Sequence, residues 1–253
     1  MKISIITASY NSEKTINDTI NSVLSQTYKN IEYIIIDGNS RDKTKDIVSY
    51  YLDKIKFISE PDHGIYDAIN KGINLATGDI VGILNSDDFF PNNEIIDIIA
   101  TTFINNYKQI DLLFGDIAFV NNDNQIKRSY SAKNFSNSLF KFGMMPPHPS
   151  VYIKREVYLQ YGLYITSYKI AADFELLLRY LLINNLKYKY INLIVVYMRF
   201  GGVSNSSFKN RLLLNNEILK ACKNNKIATN YLFIYSKYFK RILEYITPFF
   251  KKR

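Results

Sequence analysis

At 253 residues, 47% of them hydrophobic, the chain can bury a full core and is too apolar to be disordered. Its one cysteine, Cys222, excludes an internal disulfide framework, and no run of about 18 or more apolar residues reads as a membrane span. The net charge of +9 is confined to one end: residues 1–200 carry 21 basic and 21 acidic side chains, residues 201–253 carry 11 and 2. That asymmetry points to an anionic partner, either membrane or nucleic acid.

Ile3-Ser4-Ile5-Ile6 reads as a first strand, and polar Thr7, Ser9 and Asn11 follow too soon for a signal-peptide core. Ser12 or Asn11 is expected to cap a helix whose Ile16, Ile20, Val23 and Leu24 share one face. Ile31–Ile36 is a second strand ending in Asp37-Gly38-Asn39-Ser40, followed by a helix over about Thr44–Tyr51 and a short strand near Lys56–Ser59. Ile65, Ile69, Gly72, Ile73 and Ala76 form one helical face, closed by Thr77-Gly78. The apolar run Ile80–Leu84 then delivers Asn85-Ser86-Asp87-Asp88. Beyond Pro91, Ile95–Phe103 reads as helix, and Leu112–Val120 with Gln125–Tyr130 as a hairpin. Pro146-Pro147-His148-Pro149 is a rigid loop, Asp173–Leu182 a helix, Lys189–Met198 a strand, Gly201-Gly202 a break, and the remainder mostly helix. Strand–helix alternation over 1–90 implies a parallel sheet with a ligand crevice at the strand C-termini.

Polar residues collect at those tips: Thr7–Asn11, Asp37–Ser40, Glu60-Pro61-Asp62 and Asn85–Asp88. Adjacent carboxylates repel unless a cation or donors compensate, and a hard divalent ion prefers carboxylate oxygen; a solvated acidic turn is the alternative. A nucleotide suits such a pocket, with Asp37 on base or ribose, Tyr10 stacking, and a metal at Asp88 holding a diphosphate. Asp37 and Asp67 read equally well as turn or cap carboxylates. No GxGxxG or Walker A loop is present, which argues against dinucleotide and P-loop folds.

Ile5–Asn11, Ser25-Gln26-Thr27-Tyr28, Ile35–Thr44 and Asn85–Asp88 resemble the family-2 glycosyltransferases of GT-A fold. Ser59–Gly72 and Ala171–Arg179 are similar to the bacterial subgroup that builds O-antigen and related surface polysaccharides. The resemblance covers about residues 1–205 and implies an α/β, Rossmann-like, mostly parallel central sheet flanked by helices. Residues 1–90 would form the nucleotide-binding half and 91–205 the acceptor-side half, with 206–253 a basic amphipathic helical extension. It implies an inverting, metal-dependent transfer of a hexose or N-acetylhexosamine from a UDP-sugar to a glycan acceptor, expected on undecaprenyl diphosphate. Ala8, Tyr10, Asn11, Asp37 and Asp67 would contact the uridine side, Asp87 ribose or sugar hydroxyls, and Asp88 the metal, Mn2+ or Mg2+. The first position of the family's DxD-type motif is Asn85 here, so the metal falls to the two aspartates. Asp173 matches the general base and Glu175 reads as structural.

His148 is assigned to the metal; the diphosphate, the acceptor or a plain loop role stay open for it. Arg199 and Ser204, flanking Gly201-Gly202, are assigned to the diphosphate side of the donor. From Tyr231 to Arg253, Leu232, Tyr235, Phe239, Ile242, Ile246 and Phe249 fall at helical spacing opposite Lys237, Lys240 and Arg241. This is the pattern of an in-plane membrane anchor; a helix docking its apolar face on the catalytic domain is the alternative. The expected location is therefore cytoplasmic, peripheral at the inner face of the membrane. A nucleotidyltransferase would need a Gly- and Lys/Arg-rich N-terminal loop that this chain lacks. A nucleic-acid-binding protein would leave the strand-tip carboxylates unexplained, so no nucleic-acid partner is expected.

Overall fold

The computed structural model describes residues 1–199 and 208–238. In it the alternation becomes β1 (Ile3–Ser9), α1 (Ile16–Leu24), β2 (Ile31–Asp37), α2 (Thr44–Ser49), β3 (Lys56–Ser59), α3 (Ile65–Leu75) and β4 (Ile80–Ile83). The second half adds α4 (Ile95–Asn106), β5 (Leu112–Val120), β6 (Ile126–Tyr130), β7 (Tyr152–Lys154), α5 (Arg155–Tyr161), α6 (Ala172–Leu178), β8 (Tyr188–Arg199) and α7 (Phe208–Asn224). A last helix, α8, spans 231–238.

The strands form one eight-stranded sheet. β3, β2, β1 and β4 pair in that order, all parallel. β7 runs antiparallel between β4 and β5, which leaves β5, and β8 paired parallel to it, pointing the same way as β4. β6 follows β7 along the same edge of β5, opposite β8. The C-terminal tips of β1–β5 and β8 therefore share one edge of the sheet.

Alternation within each strand feeds two cores. Ile3, Ile5, Tyr33, Ile35 and Ile80 face one side, with Ile16, Ile20 and Val23 of α1 and Ile96, Ile99 and Phe103 of α4. Ile6, Ile34, Ile36, Val81 and Ile83 face the other, with Ala68, Ile69 and Ile73 of α3, Phe174 and Leu177 of α6, and Ile218, Ala221 and Cys222 of α7. Covering both faces is why the strands read as nearly unbroken apolar runs.

Several expectations shift. Neither Asn11 nor Ser12 caps α1 with its side chain: the Ser12 carbonyl accepts the N–H groups of Thr15 and Ile16, and Asn11 turns away at φ +49°. β7 and α5 are additional to the elements that the sequence pattern predicts. α6 ends at Leu178 and runs on as a π-helical turn over Arg179–Ile183. The described part of the extension is continuous with the domain core: α7 buries Asn215, Glu217 and Ile218, and α8 buries Ile234 and Lys237. α8 docks through the side opposite to the expected stripe, leaving Leu232 82% exposed and Tyr235 39%. Residues 239–253, including most of the basic amphipathic pattern, lie outside the described residues. No helix among the described residues is long and apolar enough to cross a membrane.

The antiparallel insertion sets a steric demand on β4. Gly82 lies opposite Tyr152, and a Cβ there would meet the buried tyrosine ring at 2.3 Å. Gly82→Ala is expected to lose about 1–3 kcal/mol to overpacking, read as a lower urea midpoint at unchanged m-value.

Candidate functional site

The polar tips converge as the topology requires. β1 ends in Ala8 and Ser9, both buried, and then projects Tyr10, 59% exposed, over the edge. Asn11 ties the first two tips together: its backbone N–H donates to Ser40 Oγ at 2.8 Å, and its Oδ1 accepts the Arg41 N–H at 2.9 Å. Its left-handed φ of +49° is a conformation asparagine tolerates better than most residues.

Asp37 has no exposed surface. Oδ1 accepts from Ser40 Oγ, and Oδ2 from the Ser40 N–H at 2.9 Å and Ser59 Oγ at 2.7 Å. It therefore braces the tips of β2 and β3 against each other. Asp67, in the first turn of α3, accepts the His63 N–H at 3.1 Å and meets Lys71 at 3.4 Å; that N–H bond foremost holds its carboxyl below the usual range. Lys71 also bridges to Glu60 at 2.8 Å.

Past β4 the chain makes the turn Asn85–Asp88. Thr19 of α1, fully buried, donates to the carbonyls of both Ser86 (3.0 Å) and Asp88 (2.7 Å), and Ser12 Oγ meets Ser86 Oγ at 2.8 Å. Downstream, Gln26 bonds the Asn92 carbonyl and the Ile96 N–H. From the other side Phe89 pairs with Tyr197 through two backbone bonds of 3.1 and 2.9 Å. Arg199, at the end of β8, donates to the Asp87 carbonyl at 2.9 Å and to Asp18 at 2.6 Å, with its guanidinium over the Phe89 ring.

This turn buries charge. Burial pushes the Asp87 carboxyl up; burial first and then the neighbouring Asp87 push Asp88 well above the usual range. Asp88 Oδ2 accepts the Asn85 amide at 2.8 Å, while Oδ1 is buried with no hydrogen-bond partner. An orphaned carboxylate oxygen is costly unless something else fills its shell. The divalent cation implied by the resemblance fits there. No group of three or more His, Cys, Asp or Glu gathers among the described residues, so Asp87, Asp88 and His148 do not form one ligand set, and most of such a cation's shell would come from diphosphate and water, as is common for Mg2+.

His148 sits in a one-turn 3-10 segment packed against β4, β5 and β8. Its Nε2 is engaged by the Tyr164 hydroxyl at 2.6 Å, and burial lowers its pKa to about 4. The ring is thus neutral, and it does not join Asp87 and Asp88 in a cluster of three such side chains. Ser204 lies outside the described residues.

Asp173 approaches from the second core. It occupies the first turn of α6, and burial raises its pKa to about 6. Oδ1 accepts the Phe174 N–H at 2.8 Å and a long contact of 3.4 Å from the Tyr66 hydroxyl, whose shorter bond, 2.6 Å, goes to the Ile170 carbonyl. Tyr66 stacks on Tyr164 at 5.6 Å, so α3 links the nucleotide-side tips to the Asp173 loop. Glu175, expected to be structural, chelates Arg179, which also bonds the carbonyls of Tyr161, Gly162 and Leu163. Sequence reasoning missed Thr19, Tyr66 and Tyr164, each of which reads locally as an ordinary helix or loop residue.

Asp88 supplies a direct check. Mn2+ is expected to raise the melting temperature of the wild-type protein and to leave Asp88→Asn unmoved. Because the folded carboxyl titrates above its unfolded value, its ionisation costs stability as pH rises past the ordinary 3.8. The metal-free Asp88→Asn protein should therefore melt at or above the wild type at pH 7, and a clear loss would contradict the buried-charge account.

Comparison with known proteins agrees with this geometry. The model of glycosyl transferase family 2 matches residues 4–155. A PGL/p-HBAD biosynthesis glycosyltransferase of Mycobacterium bovis is 28% identical over 208 residues, covering 80% of this chain and 79% of that protein. Staphylococcus aureus TarS 1–349 superposes with a TM-score of 0.67 at 22% identity; the match covers 88% of this chain and just under two thirds, 66%, of TarS 1–349. Glucosyl-3-phosphoglycerate synthase of Mycobacterium tuberculosis, solved with Mn2+, UDP and glucosyl-3-phosphoglycerate, gives 0.63 at 17% identity, covering 90% and 81%. With the family model spanning well over half its length and the sheet matching these folds, the chain belongs to glycosyl transferase family 2 and has the GT-A fold.

Proposed function

We propose that this glycosyltransferase moves a hexose or N-acetylhexosamine from a UDP-sugar, with inversion, to a lipid-linked glycan acceptor at the inner face of the membrane. The observation that carries the reading is the half-buried Asp173, poised near neutrality and joined through α3 to the edge that holds Asp37, Asp87 and Asp88. The UDP-GlcNAc complex of TarS and the Mn2+–UDP complex of the synthase support the donor and metal classes.

In this mechanism Tyr10 covers the base, Asn11, Asp37 and Asp67 shape the uridine side, and Asp87 meets ribose or sugar hydroxyls. Asp173 takes the proton of the acceptor hydroxyl as its oxygen bonds to the anomeric carbon from the face opposite the diphosphate. The bond from that carbon to the diphosphate oxygen breaks, and its electron pair leaves with UDP. A divalent cation bound at Asp88 would offset charge on that leaving group. Arg199 stands beside the same turn and is free to exchange its exposed Asp18 partner for a phosphate oxygen.

The membrane part of the proposal draws on the basic excess of residues 201–253 and on Tyr231, Leu232 and Tyr235, which remain exposed while α8 docks. Deleting residues 239–253 should release the protein from anionic vesicles; unchanged sedimentation with vesicles would remove the tail as an anchor.

The reaction itself is tested by metal-dependent release of nucleoside diphosphate from UDP-glucose, UDP-galactose, UDP-GlcNAc and UDP-GalNAc, with dTDP- and GDP-sugars as controls. Asp173→Asn should lower turnover by 100-fold or more, on the order of a lost general base, with UDP-sugar binding retained. In the wild type, kcat/KM should fall about tenfold per pH unit below about 6 as the base is protonated, and level off above it. A profile flat down to pH 4.5 would rule Asp173 out as the titrating base.

A further inference from the structure

We propose that Glu217, on the C-terminal helix α7, is a positioning residue for Asp173, so that α7 is a working part of the catalytic site. The inference rests on Asp173 being the base. Its physical core is a convergence of three successive backbone donors on one carboxylate. Glu217 Oε1 accepts the N–H of Lys169 at 2.8 Å, and Oε2 accepts those of Ile170 at 2.9 Å and Ala171 at 3.0 Å. Glu217 is only 8% exposed. Charge-assisted bonds of this kind, out of water, are the strong ones.

These donors belong to the segment that delivers the base. Ala171 precedes the first residue of α6, and no side-chain cap forms at that helix start. An acidic side chain from a helix more than forty residues downstream does the capping instead. The Ile170 peptide is gripped at both ends, its N–H by Glu217 and its carbonyl by the Tyr66 hydroxyl. Asp173 lies two residues beyond Ala171, and its Oδ2 accepts no hydrogen bond from another described residue. The direction of that oxygen therefore depends on how the 169–171 segment is held. A misplacement of about 1 Å at a reacting group can cost on the order of 100-fold in rate.

The titratable groups facing Asp173 are Tyr66 of α3, Tyr164 of the loop after α5 and Glu217 of α7. The Glu217 charge opposes ionisation of Asp173, and the Tyr66 hydroxyl favours it. The two grips on Ile170 therefore act on the base with opposite electrostatic sign, which a merely structural role would not reproduce.

The experiment is steady-state kinetics across pH on Glu217→Gln and Tyr66→Phe, with Asp173→Asn alongside and melting temperatures recorded. For both variants we expect kcat to drop by tenfold to 100-fold with donor KM within about twofold. The acid limb of kcat/KM should move to lower pH in Glu217→Gln and to higher pH in Tyr66→Phe. Wild-type kcat and an unmoved limb in a folded Glu217→Gln protein overturn the inference. Should Glu217→Gln not fold, Tyr66→Phe decides alone: an unchanged kcat and limb overturn it equally. Turnover retained in Asp173→Asn removes the base reading and this inference with it. An inactive Asp173→Asn beside wild-type-like Glu217→Gln removes only the inference.

Discussion

The site is organised by a carboxyl group that the fold buries and makes costly to ionise. Asp88 stands beside Asp87 at the tip of the central strand with one carboxylate oxygen unpaired and no surface exposed. Left to itself such a turn would swing into solvent or hold a proton. Much of the surrounding structure prevents the first outcome. Thr19 holds two carbonyls from α1, Ser12 pins Ser86, β8 pairs across Phe89 and Arg199 grips the Asp87 carbonyl. The turn is rigid before anything binds, so under the proposed reading a cation would meet an oxygen already aimed and lacking a partner. Pre-organisation of this kind spares the ordering cost at the moment of binding.

The two carboxylates on which the proposed reading turns are both raised by burial, but to different degrees. Asp88 is made costly to ionise by burial and a like charge, a penalty that a bound cation reverses. Asp173 is raised only to about 6, because the Phe174 N–H and the Tyr66 hydroxyl offset part of its burial. A group tuned there is ionised at neutral pH yet still accepts a proton readily, the compromise a general base needs. Since its folded value lies above the ordinary 3.8, its ionisation costs the fold stability as pH rises toward 6. Tyr66 contacts that carboxyl directly, and Glu217 bonds the backbone segment just before it.

How much of this could be read in advance follows from the range of the interactions. β1 to β4, with the polar residues at their tips, were legible because strand, turn and helix each announce themselves within a few residues. Asp37, Asp87 and Asp88 were legible for the same reason: a carboxylate just past an apolar run has its address written beside it. β7 was not. Three residues between a proline-rich loop and a helix carry no period, and their strand character comes from Gly82 and Leu113 on either side. Asn11 illustrates a local signal misread, since it looked like a helix cap and instead joins two strand tips. Glu217 left no signal, because a side chain that captures backbone N–H groups 46 to 48 residues away imposes no spacing on the sequence.

The C-terminal segment shows why a single pattern can carry two demands. Helical spacing put Leu232 and Tyr235 on one apolar stripe and left open whether that stripe packs on the domain or faces a membrane. Packing is achieved by the other side, with Ile234 and Lys237 turned inward, the lysine ammonium over the Tyr238 ring. A long basic side chain can cover apolar surface with its stem, so an inward lysine is compatible with docking. The expected stripe thus stays outward, and domain docking and lipid contact cease to be alternatives for α8. α7, which precedes α8, is tied from its middle by Glu217 to the loop of Asp173. Under the proposed function, the segment that meets the acceptor's membrane is therefore only one helix removed from the group that must receive the acceptor's proton.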